Sequence, residues 1–152
     1  VYGDCYAAHS PIETESPLGA GKEFSIFIPE NYWRTGMTVR RHSLRIDGFV
    51  AAKAPLSGGQ LVTKPITFTG KKLSLNFASS AAGHLRVELA DLNGNPLPGF
   101  GLADCDETFG DSLDRTITWN GKADVSALAS KSIRLKFDLH DAKIYSFQFT
   151  AE

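Results

Sequence analysis

Leu73-Ser74-Leu75-Asn76-Phe77 and Leu85-Arg86-Val87-Glu88-Leu89 place an apolar side chain at every second position, with a polar one between. In an extended chain successive side chains point to opposite faces, so each stretch lays down one apolar face and one wet face. The same rhythm returns later. Ile133, Leu135, Phe137 and Leu139 alternate with Arg134, Lys136 and Asp138, and Tyr145, Phe147 and Phe149 repeat the pattern. Strands with one dry face must bury it against another layer.

Working outward, the rest of the chain fits the same scheme. Glu23–Ile28 sets Phe24, Ile26 and Ile28 on one face. Met37–Ile46 is a second extended run whose inward face changes near Arg40-Arg41, which predicts a bulge there. Leu61–Phe68 contains Pro65, so it belongs at an edge or a kink. Ile117 and Trp119 read as a short strand. Asp91–Asn95 carries the Asn-Gly pair of a hairpin turn, since Asn and Gly accept positive φ. Only Asp124–Ala129 looks helical, with Asp124 or Ser126 as its cap. Residues 1–22 are irregular, broken by Ser10-Pro11, Ser16-Pro17 and Gly19-Ala20-Gly21. The 14 glycines and 7 prolines fall between the periodic runs, as in an all-β protein. The reading is about nine short strands in an antiparallel two-sheet β-sandwich. A boundary near Arg45–Gly48 separates an N-terminal extension, residues 1–45, from the sandwich, residues 46–152.

Composition narrows the function. The chain has 152 residues, 16 basic and 17 acidic, for a formal net charge of -1. Beyond Arg40-Arg41 and Lys71-Lys72 there is no block of like charge, which argues against a nucleic-acid partner. No apolar run approaches the roughly 20 residues of a membrane span. The first residue is Val1, which reads as a mature product or a piece of a longer protein. Cys5 and Cys105 either form one disulfide in an exported protein or are two separate small apolar side chains. Without a CxxC or a Cys/His cluster, a structural zinc site is not expected.

The stretch Leu44-Arg45-Ile46-Asp47-Gly48-Phe49-Val50 resembles the junction sequence of secreted bacterial glycoside-hydrolase-like proteins. In these a β-propeller catalytic domain is followed by a C-terminal β-sandwich of jelly-roll, lectin-like type. Gly59–Pro65, Ser80-Ala81-Ala82-Gly83, Pro98-Gly99-Phe100, Asp104-Cys105-Asp106-Glu107 with Gly110-Asp111, and Asp124–Phe149 follow in matching order. The resemblance spans roughly residues 23–150. It implies that residues before about 46 are the tail of a propeller's last blade, and that the propeller's catalytic carboxylates are not in this chain. It further implies a secreted or periplasmic, non-catalytic module that holds a polysaccharide or oligosaccharide, or docks on a propeller catalytic domain.

Several residues are candidates for chemistry. Asp104, Asp106 and Asp111 lie in the densest acidic stretch, and close acids on a loop can supply oxygens to calcium, here in a structural role. The alternatives are solvated acids and turn caps, or a glycosidase carboxylate pair, which needs two carboxyls held across a cleft. Arg115 beside them either fixes a loop through a carboxylate or bonds a sugar hydroxyl, uronate or sulfate. Sugars stack their apolar faces on aromatic rings. Tyr32, Trp33 and Trp119 are the carbohydrate-binding candidates, with Phe100 and Phe109 behind them. Trp119 alternates with Ile117 and so also reads as core. His9, His42, His84 and His140 lack metal-site spacing and read as surface histidines.

Overall fold

In the computed structural model, residues 7, 9–17 and 21–151 are described. The chain divides into two compact units, residues 1–49 and 50–152.

The first unit is a three-stranded antiparallel sheet in the order β1-β2-β3. Its strands are β1 (Ile12–Glu15), β2 (Lys22–Glu30) and β3 (Thr38–Arg45). Strand β1 falls in the stretch expected to be irregular. The bulge expected at Arg40-Arg41 is not formed: pairing runs unbroken from Glu23↔Arg45 to Glu30↔Thr38. The reason is that each arginine finds its own acid. Arg40 pairs with Glu30 at 3.0 Å. Arg41 pairs with Glu23, and its Nε donates to Ser25 Oγ at 2.6 Å. Two consecutive charges can then occupy opposite faces without shifting the register.

The second unit holds β4 (Ala52–Ala54), β5 (Gly59–Val62), β6 (Lys72–Ala90), β7 (Asp111–Thr116) and β8 (Arg134–Thr150). Their order is β4-β8-β6-β7, with β5 also on β8. The two dominant strands pair from Lys72↔Thr150 to Ala90↔Arg134, with register shifts at Asn76/Phe77 and between Ser79 and His84. The alternating stretches at 73–77 and 85–89 therefore belong to one strand, which continues through a shift of register at Ser80–Gly83. The apolar phases meet as expected: Leu73, Leu75, Phe77, Leu85, Val87, Leu89, Leu135 and Phe137 are fully buried. Each contributes about 1.5–3 kcal/mol by leaving water. Ile117 and Trp119 join this core but lie outside a strand. The neighbouring strand is Asp111–Thr116, in the stretch expected to be an acidic loop. The helical expectation reduces to one 3-10 turn, Ser126–Leu128.

With two antiparallel sheets and no α-helix among the described residues, the chain is all-β, in keeping with the two-sheet sandwich class. Among those residues no helix is long and apolar enough to cross a membrane. Cys105 is buried with a free thiol. Burial pushes that thiol up to about 11, and its Sγ accepts the Val87 N–H at 3.2 Å. The partner proposed for it, Cys5, lies outside the described residues.

Candidate functional site

A pocket of about 220 Å³ in the second unit is lined by Gly99, Phe100, Trp119, Asn120, Lys122 and Asp124. The Asn-Gly pair at 120–121 builds it. Trp119 and Lys122 exchange backbone hydrogen bonds at 2.8 and 3.0 Å. Asn120 at φ 50 and Gly121 at φ 75 both take left-handed backbone, the conformation of a tight hairpin turn that Asn and Gly tolerate. This places Asn120 and Lys122 beside the aromatic wall. Trp119 is only 2% exposed. Its indole N–H donates to the Val87 carbonyl at 2.9 Å, and Phe100 meets it edge-on at 5.3 Å. The tryptophan therefore forms the pocket wall and is not an open stacking platform, because its ring is held in the core. The turn dipeptide was the available sequence signal for this pocket, of the same kind as the one read at Asp91–Asn95.

The acidic stretch supports that turn. Asp104 accepts from Gly101 N at 3.2 Å through one oxygen and from Asn120 Nδ2 at 3.2 Å through the other. Asp106 Oδ2 accepts from the Thr118 hydroxyl and from Gly121 N at 2.8 Å. Asp111 lies away from both in the pairing scheme, on β7 opposite Ala78. Among the described residues, no three His, Cys, Asp or Glu side chains gather to hold a metal ion. Both oxygens of Asp104 and Oδ2 of Asp106 thus already accept from protein donors that hold the turn.

The Thr118 hydroxyl first, and the Gly121 N–H second, hold the Asp106 carboxyl below its usual range. A general acid needs the opposite shift. Because the folded value lies below the unfolded one, this contribution is present above the unfolded carboxylate range. It is lost as pH falls through the folded value, below about pH 4. Asp106→Asn is therefore expected to lower the Tm at pH 7 and to show a smaller fall in Tm between pH 7 and pH 3 than the parent chain. Thermal melts across that range check it.

The remaining sequence candidates lie elsewhere. Arg115 is exposed on β7, opposite Leu75. Tyr32 and Trp33 sit between β2 and β3 in the first unit, 40% and 76% exposed. Their rings are perpendicular at 4.8 Å, so they do not make a flat two-ring platform.

A second cluster was not legible as one. His84 and His140 face each other across β6 and β8, with rings stacked at 4.7 Å. His84 and Arg86 approach Glu107 at 3.9 and 3.4 Å. His140 meets Asp138 at 3.3 Å, and Asp138 also accepts from Gln60 at 3.0 Å. Outward phase showed these groups to be on the wet face, but only the register brings them together.

Comparison with protein-family models, curated proteins and solved structures found no match.

Proposed function

We propose that the chain is a carbohydrate-binding accessory module of polysaccharide degradation, acting outside the cytoplasm, and that the Phe100–Trp119 pocket receives a sugar ring. The observation that carries this reading is the make-up of that pocket. An aromatic wall stands beside an amide, an ammonium and a carboxylate in about 220 Å³. Apolar C–H surfaces of a sugar pack on aromatic rings, here on the half-buried Phe100 that Trp119 backs from the core, while its hydroxyls need both donors and acceptors. Lys122 donates. Asp124 accepts, although one of its oxygens also takes the Ser126 N–H at 2.8 Å. The sequence resemblance to the sandwich of propeller-bearing glycoside-hydrolase-like proteins supports the same reading.

The test is retardation in gels containing neutral, acidic or sulfated polysaccharides, with calcium and again with EDTA. Retardation is expected on at least one glycan and should persist in EDTA. Lys122→Ala and Asn120→Gly should each weaken it about tenfold, the loss of one hydrogen bond involving a charged or well-placed polar group. Glycine keeps the left-handed turn, so Asn120→Gly removes the side chain without forcing the backbone. Loss of binding in EDTA would return Asp104, Asp106 and Asp111 to the calcium role. Unchanged binding by both variants would remove the pocket from the proposal.

One observation favours a second reading, a docking domain for a catalytic propeller. Val50, Ala52, Leu61, Ile144 and Phe147 line an apolar groove of about 360 Å³, and Val50 is 77% exposed. Exposed apolar patches of this kind mark contact surfaces. Failure to bind any glycan would move the assignment to this groove.

A further inference from the structure

Lys53 of β4 stands directly opposite Lys143 of β8, and Lys143 faces Ala78 of β6 on its other side. Like charges at facing positions of an antiparallel pair repel and destabilise the sheet. Among the described residues neither ammonium forms an ion pair with a carboxylate. Both line a pocket of about 310 Å³ together with Ala78, Ser79, Ser80 and Asp141.

The polar groups of this pocket define what it can hold. Ser79 is engaged: its hydroxyl donates to the Ser80 carbonyl at 3.1 Å and accepts from Gly110 N at 2.9 Å. Ser80 Oγ accepts from Ala82 N at 3.3 Å, which leaves its proton to donate. Asp141 sits at φ 40 where the pairing changes register, and its N–H is taken by the Pro55 carbonyl at 3.0 Å. Ala78 adds only a methyl group. Asp111 closes the same cross-strand row, opposite Ala78. Two ammoniums and a hydroxyl proton thus line one pocket with the Asp141 carboxylate, which accepts but cannot donate. A bare anion would satisfy the lysines and be repelled by Asp141. A neutral sugar would leave the two lysines opposed. A ligand with one anionic group and neighbouring hydroxyls satisfies both sets.

We propose that this pocket binds an acidic sugar residue, a uronate or a sugar sulfate. Its anionic group lies between Lys53, Lys143 and the Ser80 hydroxyl, and a ring hydroxyl donates to Asp141. The site shares no residue with the Phe100–Trp119 pocket and stands independently of it.

The experiment is an amide-resolved NMR titration of the whole chain with glucuronate, glucose 6-sulfate, glucose and inorganic sulfate. The two acidic sugars are expected to shift the amides of Ser79, Ser80 and Lys143, more weakly as salt rises. Glucose and sulfate should bind at least tenfold more weakly. Lys53→Glu turns the repelling pair into an attractive one. It should cost tenfold or more in affinity for both acidic sugars while leaving the Tm unchanged or raising it by about 1–4 °C. Asp141→Asn should weaken glucuronate and strengthen sulfate, closing the gap between them. The proposal is overturned if neither acidic sugar shifts these amides, or if Lys53→Glu binds as the parent does. A marked drop in the Tm of Lys53→Glu would show that the lysine is structural. Equal binding of sulfate and glucuronate, indifferent to Asp141→Asn, would show a non-selective anion patch.

Discussion

Trp119→Ala is expected to lose about 3–5 kcal/mol of unfolding free energy, read from urea melts of the whole chain. Trp119 heads the largest fully buried side chains, and it ties three parts of the second unit together. Its backbone bridges Cys105 and Lys122, its ring packs against Phe100, and its indole N–H satisfies the Val87 carbonyl. Truncation removes that area, opens a cavity and leaves a buried acceptor without its donor. Domains commonly hold only about 5–15 kcal/mol in total, so this one change takes a large share. Trp119→Phe separates the contributions. It keeps most of the apolar surface and loses the hydrogen bond, for an expected cost of about 1–3 kcal/mol. If Trp119→Ala melted at the same urea concentration as the parent, the residue would not be core. Its place in the sugar pocket would then have to be as an accessible ring.

That double role shows what a linear sequence reveals and what it hides. The alternation at Leu73–Phe77, Leu85–Leu89 and Ile133–Leu139 fixed both the fold class and the buried face, because one apolar stripe per strand has only one dry side to go to. The same rule read Trp119 as core from its phase with Ile117. Strand ends were harder. Ser80–Gly83 interrupts the alternation between two apolar runs, but β6 and β8 shift register together there and continue, and nothing local distinguishes a bulge from a loop. Asp111–Thr116 was hidden by its acids, since an edge strand can be almost wholly polar. The candidate sites were legible only in part. Trp119 and the acids at 104 and 106 were visible as residues, but their convergence on the Asn120-Gly121 turn depends on long-range pairing. The Lys53–Lys143 and His84–His140 pairs depend on it entirely, because each joins residues more than fifty positions apart.

Gly83→Ala tests that register shift directly. Gly83 is buried where β6 passes the break in pairing with β8. A methyl group on it would collide with the Asp141 carbonyl oxygen and come within 2.7 Å of the His140 carbonyl oxygen. Both obstacles are backbone, so no side-chain rotation relieves them. Where the site is open and the backbone compatible, Gly→Ala stabilises by about 0.4–1 kcal/mol through the unfolded chain. Here overpacking should reverse the sign and cost about 1–3 kcal/mol, towards the upper end because the strands themselves must separate. Urea melts give the magnitude, and amide spectra give the location. The perturbed amides should centre on residues 79–84 and 140–142, which include Ser79, Ser80, Asp141 and Ala142 of the Lys53–Lys143 pocket lining. Acidic-sugar affinity should therefore fall in Gly83→Ala together with stability, whereas in Lys53→Glu affinity alone should fall. A stable Gly83→Ala chain with parental spectra would mean that the two strands are farther apart at this point. The close approach that sets the pocket's shape would then have to come from the Asp141 side alone.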